Sequence, residues 1–118
     1  KSYFNNAIFL DRDGVIIKDC HYIKNPLDVQ LENNVIELIN LAKKYNWLVI
    51  VITNQSGISR GILSWTDYQK VNKRMIDLFG ESNPFAGVYA NSLLENTSKN
   101  LHYKYRYYSK NVSTYFFN

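Results

Sequence analysis

Ala7-Ile8-Phe9-Leu10-Asp11-Arg12-Asp13-Gly14 is the stretch that decides how the rest of this chain is read. Four apolar residues are too few for a helix. Closed by two acids one position apart and a glycine, they predict a buried strand running into a polar loop. Alternation along an extended chain points Asp11 and Asp13 the same way. Two neighbouring carboxylates are costly to bury without a counter-charge, so the pair holds a divalent cation, does proton chemistry or sits in solvent.

Working outward, residues 48–52 read Leu-Val-Ile-Val-Ile, the β-branched run of a central parallel strand covered on both faces. Between the two strands, Asn33 or Asn34 can cap a helix whose stripe is Val35, Ile36, Leu38, Ile39 and Ala42. Strand, helix, strand in under fifty residues is a crossover unit of an α/β fold, whose ligands bind beyond the carboxyl ends of the strands. Asp11 and Thr53 are therefore expected side by side. The second strand runs into Thr53-Asn54-Gln55-Ser56-Gly57-Ile58-Ser59-Arg60-Gly61, where hydroxyls, amides and glycines can surround a phosphate. Arg60 is either a contact for a second anionic group or a surface charge.

Ser64 opens a further helix, with Asp67 three positions on as a short form of the capping box, and Tyr68, Val71, Met75, Leu78 and Phe79 recur at core spacing. Gly80 stops it, and residues 86–90 predict a third short strand ending in Asn91-Ser92. In the loop after the acidic pair, Cys20 and His21 have no second Cys or His at metal-ligand spacing, so no zinc site is expected there. His21 reads as part of a polar loop beside a packed Tyr22.

The chain has 118 residues, 46% apolar and 15% aromatic, enough for one domain with a modest core. It opens on Lys1 rather than Met, which reads as a fragment. No apolar run reaches membrane-spanning length, and a lone cysteine excludes an internal disulfide, so a cytoplasmic setting is expected. The net charge of +4 is uneven. Residues 99–118 hold Lys99, Lys104, Arg106 and Lys110, no acid, and five of the ten tyrosines. The expected organisation is a core over residues 1–98 and a basic, tyrosine-rich tail over 99–118. Four positive charges are few for nucleic-acid binding.

Taken together, Phe-Leu-Asp11-Arg12-Asp13-Gly14 with Tyr22 after it, Val-Ile-Thr53-Asn54-Gln55-Ser56-Gly57 with Arg60-Gly61, and Val88-Tyr89-Ala90-Asn91-Ser92 resemble the haloacid dehalogenase superfamily. The similarity is to its subfamily IIIA, the branch with heptose bisphosphate and histidinol-phosphate phosphatases, and covers residues 5–95. It implies a Rossmann-like three-layer α/β/α fold with a parallel sheet, incomplete at its C-terminal side. It further implies an Mg²⁺-dependent phosphatase acting on a small sugar phosphate. Asp11 would be the nucleophile that becomes an aspartyl phosphate, and Asp13 the general acid and base, both contributing to the metal site. Thr53 and the Asn54 amide would hold the phosphoryl oxygens. Asp19, Cys20, His21 and Tyr22 would form the substrate flap, and Gln55 and Ser56 would also lie on the substrate side, with Arg60 as the further anion contact.

The family pattern also has a lysine after the third strand and an acidic Gly-Asp motif after a fourth. Neither is legible here, so a truncated, non-catalytic phosphosugar-binding remnant is the alternative. In such a fold the first strand is central. Without a fourth strand its edge is open, inviting self-association unless the segment 112–117 or a partner covers it.

Overall fold

The computed structural model describes residues 6–92 in full, and two further strands, Tyr105–Ser109 and Val112–Phe117, by their backbone. In chain order the elements are β1 (Asn6–Leu10), a 3₁₀ turn (Pro26–Asp28), α1 (Val35–Lys44), β2 (Trp47–Asn54), the single turn α2 (Ser56–Ser59), α3 (Trp65–Asp77), β3 (Gly87–Asn91), β4 (Tyr105–Ser109) and β5 (Val112–Phe117). They form one sheet in the order β1-β2-β3-β4-β5. The first three strands run parallel, with Leu10 opposite Val51 and Thr53 opposite Ala90, while β4 and β5 join antiparallel. That register brings the residues after Leu10 and those after Thr53 to one rim.

The larger of two buried clusters among the described residues carries the fold, the smaller being Leu63, Tyr68 and Ala90. Val35, Ile39 and Ala42 of α1 and Val71, Met75 and Ile76 of α3 meet Leu10, Val49, Val51 and Val88 of the sheet. The opposite face is open among the described residues: Phe9 is 61% and Ile52 51% exposed. β2 was expected to be covered on both faces, but it alternates, and the described residues hold two of the three expected layers. A β-branched run reports strand geometry and apolarity without saying whether a second helical layer is present.

Two local expectations change. Asn34 does precede α1, but in the left-handed conformation at φ 67° and with no side-chain cap, so Asn supplies backbone tolerance here. The segment 112–117 lies at the far side of the sheet as β5, and β1 remains an edge among the described residues. Beside that edge, Leu38 and Leu41 from the outer flank of α1 join Ile8, Tyr45 and Trp47 around an apolar groove of about 340 Å³.

α3 begins as the sequence predicts. The Ser64 hydroxyl accepts from the Asp67 amide at 3.0 Å, and the Asp67 carboxylate accepts from the Ser64 amide at 2.9 Å. That amide holds the Asp67 carboxyl below its ordinary range. A carboxyl depressed in the folded state stabilises it above the unfolded pKa, and the contribution is lost as pH falls through the folded value. Ser64→Ala is expected to lower the unfolding free energy by about 1 kcal/mol at neutral pH, as read from denaturant midpoints.

Candidate active site

At the carboxyl rim of β1 and β2 lies a cleft of about 290 Å³. Asp11 and Asp13 line it from the β1 loop, Asn54, Gln55 and Ser56 from the end of β2, and Asp19, His21 and Tyr22 from the loop between. The acidic pair and the amide-hydroxyl turn, about forty positions apart, do converge. Their link is the Gln55 side chain: Nε2 donates to Asp13 Oδ2 and to Thr53 Oγ1, at 2.9 Å each. Thr53 itself is 2% exposed and does not line the cleft; it stands one hydrogen bond behind Gln55. Arg60 is exposed at the end of α2 and is not among the lining residues.

Three sets of bonds fix the rim. The Arg12 carbonyl accepts from the Ile16 and Ile17 amides at 2.9 and 3.1 Å, closing the turn that carries the acids. The Gln55 amide donates to the Asn91 carbonyl at 2.7 Å, and the Ser59 hydroxyl donates to the Ser92 carbonyl, tying α2 to the end of β3. The 19–22 loop is held by the His21 amide donating to Asp19 Oδ1 at 2.9 Å. His21 and Tyr22 are both left-handed, at φ 53° and 61°, and their rings meet at 4.5 Å. Two consecutive non-glycine residues in that region cost about 1–2 kcal/mol each, a cost met by the surrounding contacts.

One of those contacts is a close approach to Gly57. A Cβ there would lie 2.6 Å from Tyr22 Cδ1 and 2.5 Å from Leu63 Cδ2. Gly57→Ala is therefore expected to destabilise by about 1–3 kcal/mol and to displace the Tyr22 ring from the cleft wall. Thermal unfolding and a change in tyrosine near-ultraviolet dichroism would check it.

The electrostatics are asymmetric. Asp11 is exposed, and its Oδ1 accepts from the Arg12 amide at 2.7 Å. Asp13 faces the buried Arg12 guanidinium, with Nε to Oδ1 at 3.0 Å and Nη2 to Oδ2 at 3.1 Å. Both Asp13 side-chain oxygens are thus engaged. Among the described residues no third His, Cys, Asp or Glu joins a metal-holding group, and no Lys or Arg lines the cleft. The donors are hard oxygens, with the Asp11 carboxylate open to solvent. That suits Mg²⁺, which takes one or two carboxylates and completes its shell with water and phosphate oxygens.

Arg12 is the rim residue that sequence reasoning did not assign to the site, and an arginine set between two acids at a strand end was the available signal. The left-handed backbone at His21 and Tyr22 left no signal in the sequence.

Comparison with known proteins agrees with this geometry. No family model matches the chain. A D-glycero-beta-D-manno-heptose-1,7-bisphosphate 7-phosphatase of Mesorhizobium japonicum is 39% identical over 82 residues, covering 70% of this chain and 38% of that protein. A D-glycero-alpha-D-manno-heptose-1,7-bisphosphate 7-phosphatase of Burkholderia mallei is 41% identical over 86 residues, covering 72% of this chain and 46% of that protein. Among solved structures, a HAD-like phosphatase of Mesorhizobium loti superposes with a TM-score of 0.72 at 35% identity, over 82% of this chain and 47% of the other. The D,D-heptose 1,7-bisphosphate phosphatase of B. bronchiseptica, a complex with magnesium and phosphate, gives 0.66 at 23% identity over 77% and 52%, which speaks for the fold alone. The described core has the haloacid dehalogenase-like fold, and the chain resembles that superfamily's phosphatases. Within the superfamily its likeness is to the heptose-1,7-bisphosphate 7-phosphatases. The chain spans about half or less of the length of these relatives.

Proposed function

We propose that this chain carries the nucleophile and the general acid and base of a Mg²⁺-dependent phosphatase acting on a small, heptose bisphosphate-like sugar phosphate. The observation that carries the reading is the meeting of Asp11, Asp13 and residues 54–56 in one cleft. An Asp11 carboxylate oxygen would attack phosphorus as the bond to the sugar oxygen breaks, with Asp13 protonating that oxygen. Water, giving its proton to Asp13, would then attack the aspartyl phosphate, release inorganic phosphate and regenerate Asp11. The Asn54 amide, Gln55 and Ser56 would position the phosphoryl oxygens, and Thr53 would hold Gln55 in place. Asp19, Tyr22 and His21 would face the sugar, while Arg60 would serve only a ligand that extends past α2. The Asp11 carboxylate and the Asp13 main-chain carbonyl would hold Mg²⁺, whose contribution when bound is to neutralise phosphoryl charge.

The cleft favours a second reading, a phosphosugar-binding remnant without turnover, because no Lys or Arg among the described lining residues offsets the transferring phosphoryl. Phosphate release from a panel of sugar phosphates, with Mg²⁺ and with EDTA, separates the two. Metal-dependent release supports catalysis. No release above the blank, together with phosphate-induced shifts of the Asn54 to Ser56 amides, retires it in favour of binding alone.

Among the described residues no helix is long and apolar enough to cross a membrane. A cytoplasmic setting is part of the proposal, supported by the unpaired Cys20. So is association of two copies through β1, an edge with no charged residue beside the apolar groove. Sedimentation should show concentration-dependent association that Leu41→Lys reduces; a monomer at all concentrations would rule it out.

A further inference from the structure

The acidic pair is steadied from behind by residues that the mechanism above does not use. Arg12 has no accessible surface, and a buried guanidinium is tolerated only where its charge and donors are met. Its fork meets Asp13, its Cζ lies 5.2 Å from the centre of the Tyr68 ring, and Nη1 donates to Asn72 Oδ1 at 2.8 Å. Asn72 belongs to α3, sixty positions away, is fully buried and does not line the cleft. Its Nδ2 is buried with no hydrogen-bond partner among the described residues. An amide that leaves both N–H donors of its nitrogen unsatisfied on a helix's core face is poorly explained by stability, since an apolar residue of the same branched shape would avoid that cost. What it provides is a fixed point. The fork sets Asp13 relative to the guanidinium, but four side-chain torsions of Arg12 would let the two swing together. The bond to Asn72 anchors them to a packed helix.

We infer that Asn72 is a positioning residue that acts through Arg12 to fix the Asp13 carboxylate at the rim of the cleft. Its kinetic consequence rests on the phosphatase reading; its geometric consequence does not. A bond formed sixty positions away thus controls where the acid and base group stands, and small displacements of such groups cost rate far more than they cost binding.

The test combines two variants and two readouts on the whole chain. Asn72→Leu removes the acceptor on the same heavy-atom skeleton, and Asn72→Asp keeps it. In ¹H–¹⁵N spectra the Arg12 Nε–H should give a persistent cross-peak in the parent protein and in Asn72→Asp, and should broaden or vanish in Asn72→Leu. In parallel, kcat should fall by about 10- to 100-fold in Asn72→Leu with KM within about threefold, and Asn72→Asp should recover most of it. An Asn72→Leu protein that is folded, keeps the cross-peak and keeps kcat would overturn the inference, as would loss of stability alone with unchanged turnover per folded molecule. If Asn72→Leu does not fold, Asn72→Ser, whose hydroxyl is too short to reach the guanidinium, is read by the same criteria. If the parent chain turns over no substrate, the phosphatase reading fails, and the Arg12 cross-peak still decides whether Asn72 positions the pair.

Discussion

Replacing Asp11 by asparagine is expected to bring phosphate release down to background, a loss on the order of 10⁴-fold or more, without lowering the unfolding midpoint. The two halves have one cause. Asp11 is exposed and its side chain accepts from the neighbouring Arg12 amide, a bond that the asparagine carbonyl can keep. Losing the charge also removes a like neighbour of Asp13. What the variant lacks is the carboxylate proposed as the nucleophile; Asp13 has both side-chain oxygens engaged, and Asp19, though also exposed at the cleft, comes from the 19–22 loop rather than from the end of β1. Steady-state release and a thermal melt on the same preparation check both halves. A variant with the parent's rate would show that phosphate is released by another route.

Asp13→Ala should behave in the opposite way on stability. Arg12 is completely buried, whereas the Asp13 side chain is 25% exposed. Truncating the carboxylate strands the guanidinium with Asn72 and the Tyr68 face as its remaining described partners. Breaking a fully buried pair costs about 3–5 kcal/mol, and solvent at Asp13 reduces this to about 2–3 kcal/mol. In a domain of this size that lowers the melting temperature by roughly 10 °C or more. Circular dichroism melts of Asp11→Asn and Asp13→Ala give the comparison. Coincident curves would mean that the Arg12 charge is met mainly by groups other than Asp13. Phosphate-release rates of Asp13 variants therefore need correction to the folded fraction.

Much of this arrangement is legible along the chain because local and global preferences agree. β1 and β2 are short apolar runs closed by polar residues, α3 has Tyr68, Val71 and Met75 at helical spacing behind a Ser64-Asp67 box, and all three form as expected. The cleft follows from parallel strands: their carboxyl ends share a rim, so Asp11 and residues 54–56 had to meet once β1 paired with β2. What escapes sequence reading depends on partners far along the chain. Arg12 looks like a solvated charge until Asn72 and Tyr68 are seen to enclose it. Ile36 and Leu38 look like core, yet only one flank of α1 meets the sheet, leaving them 49% and 36% exposed. The position of β5 depended on which edge received it, and both edges are compatible with the same apolar pattern.

The left-handed backbone at His21 and Tyr22 also restricts how this wall of the cleft can diversify. Bulky β-branched side chains are excluded by geometry whatever their chemistry, which leaves glycine and a few polar or aromatic types able to occupy these two sites. A lineage adapting the pocket to another ligand would therefore explore a small alphabet here, trading ring surface for conformational ease, and would find freer variation at Asp19, whose backbone carries no such constraint.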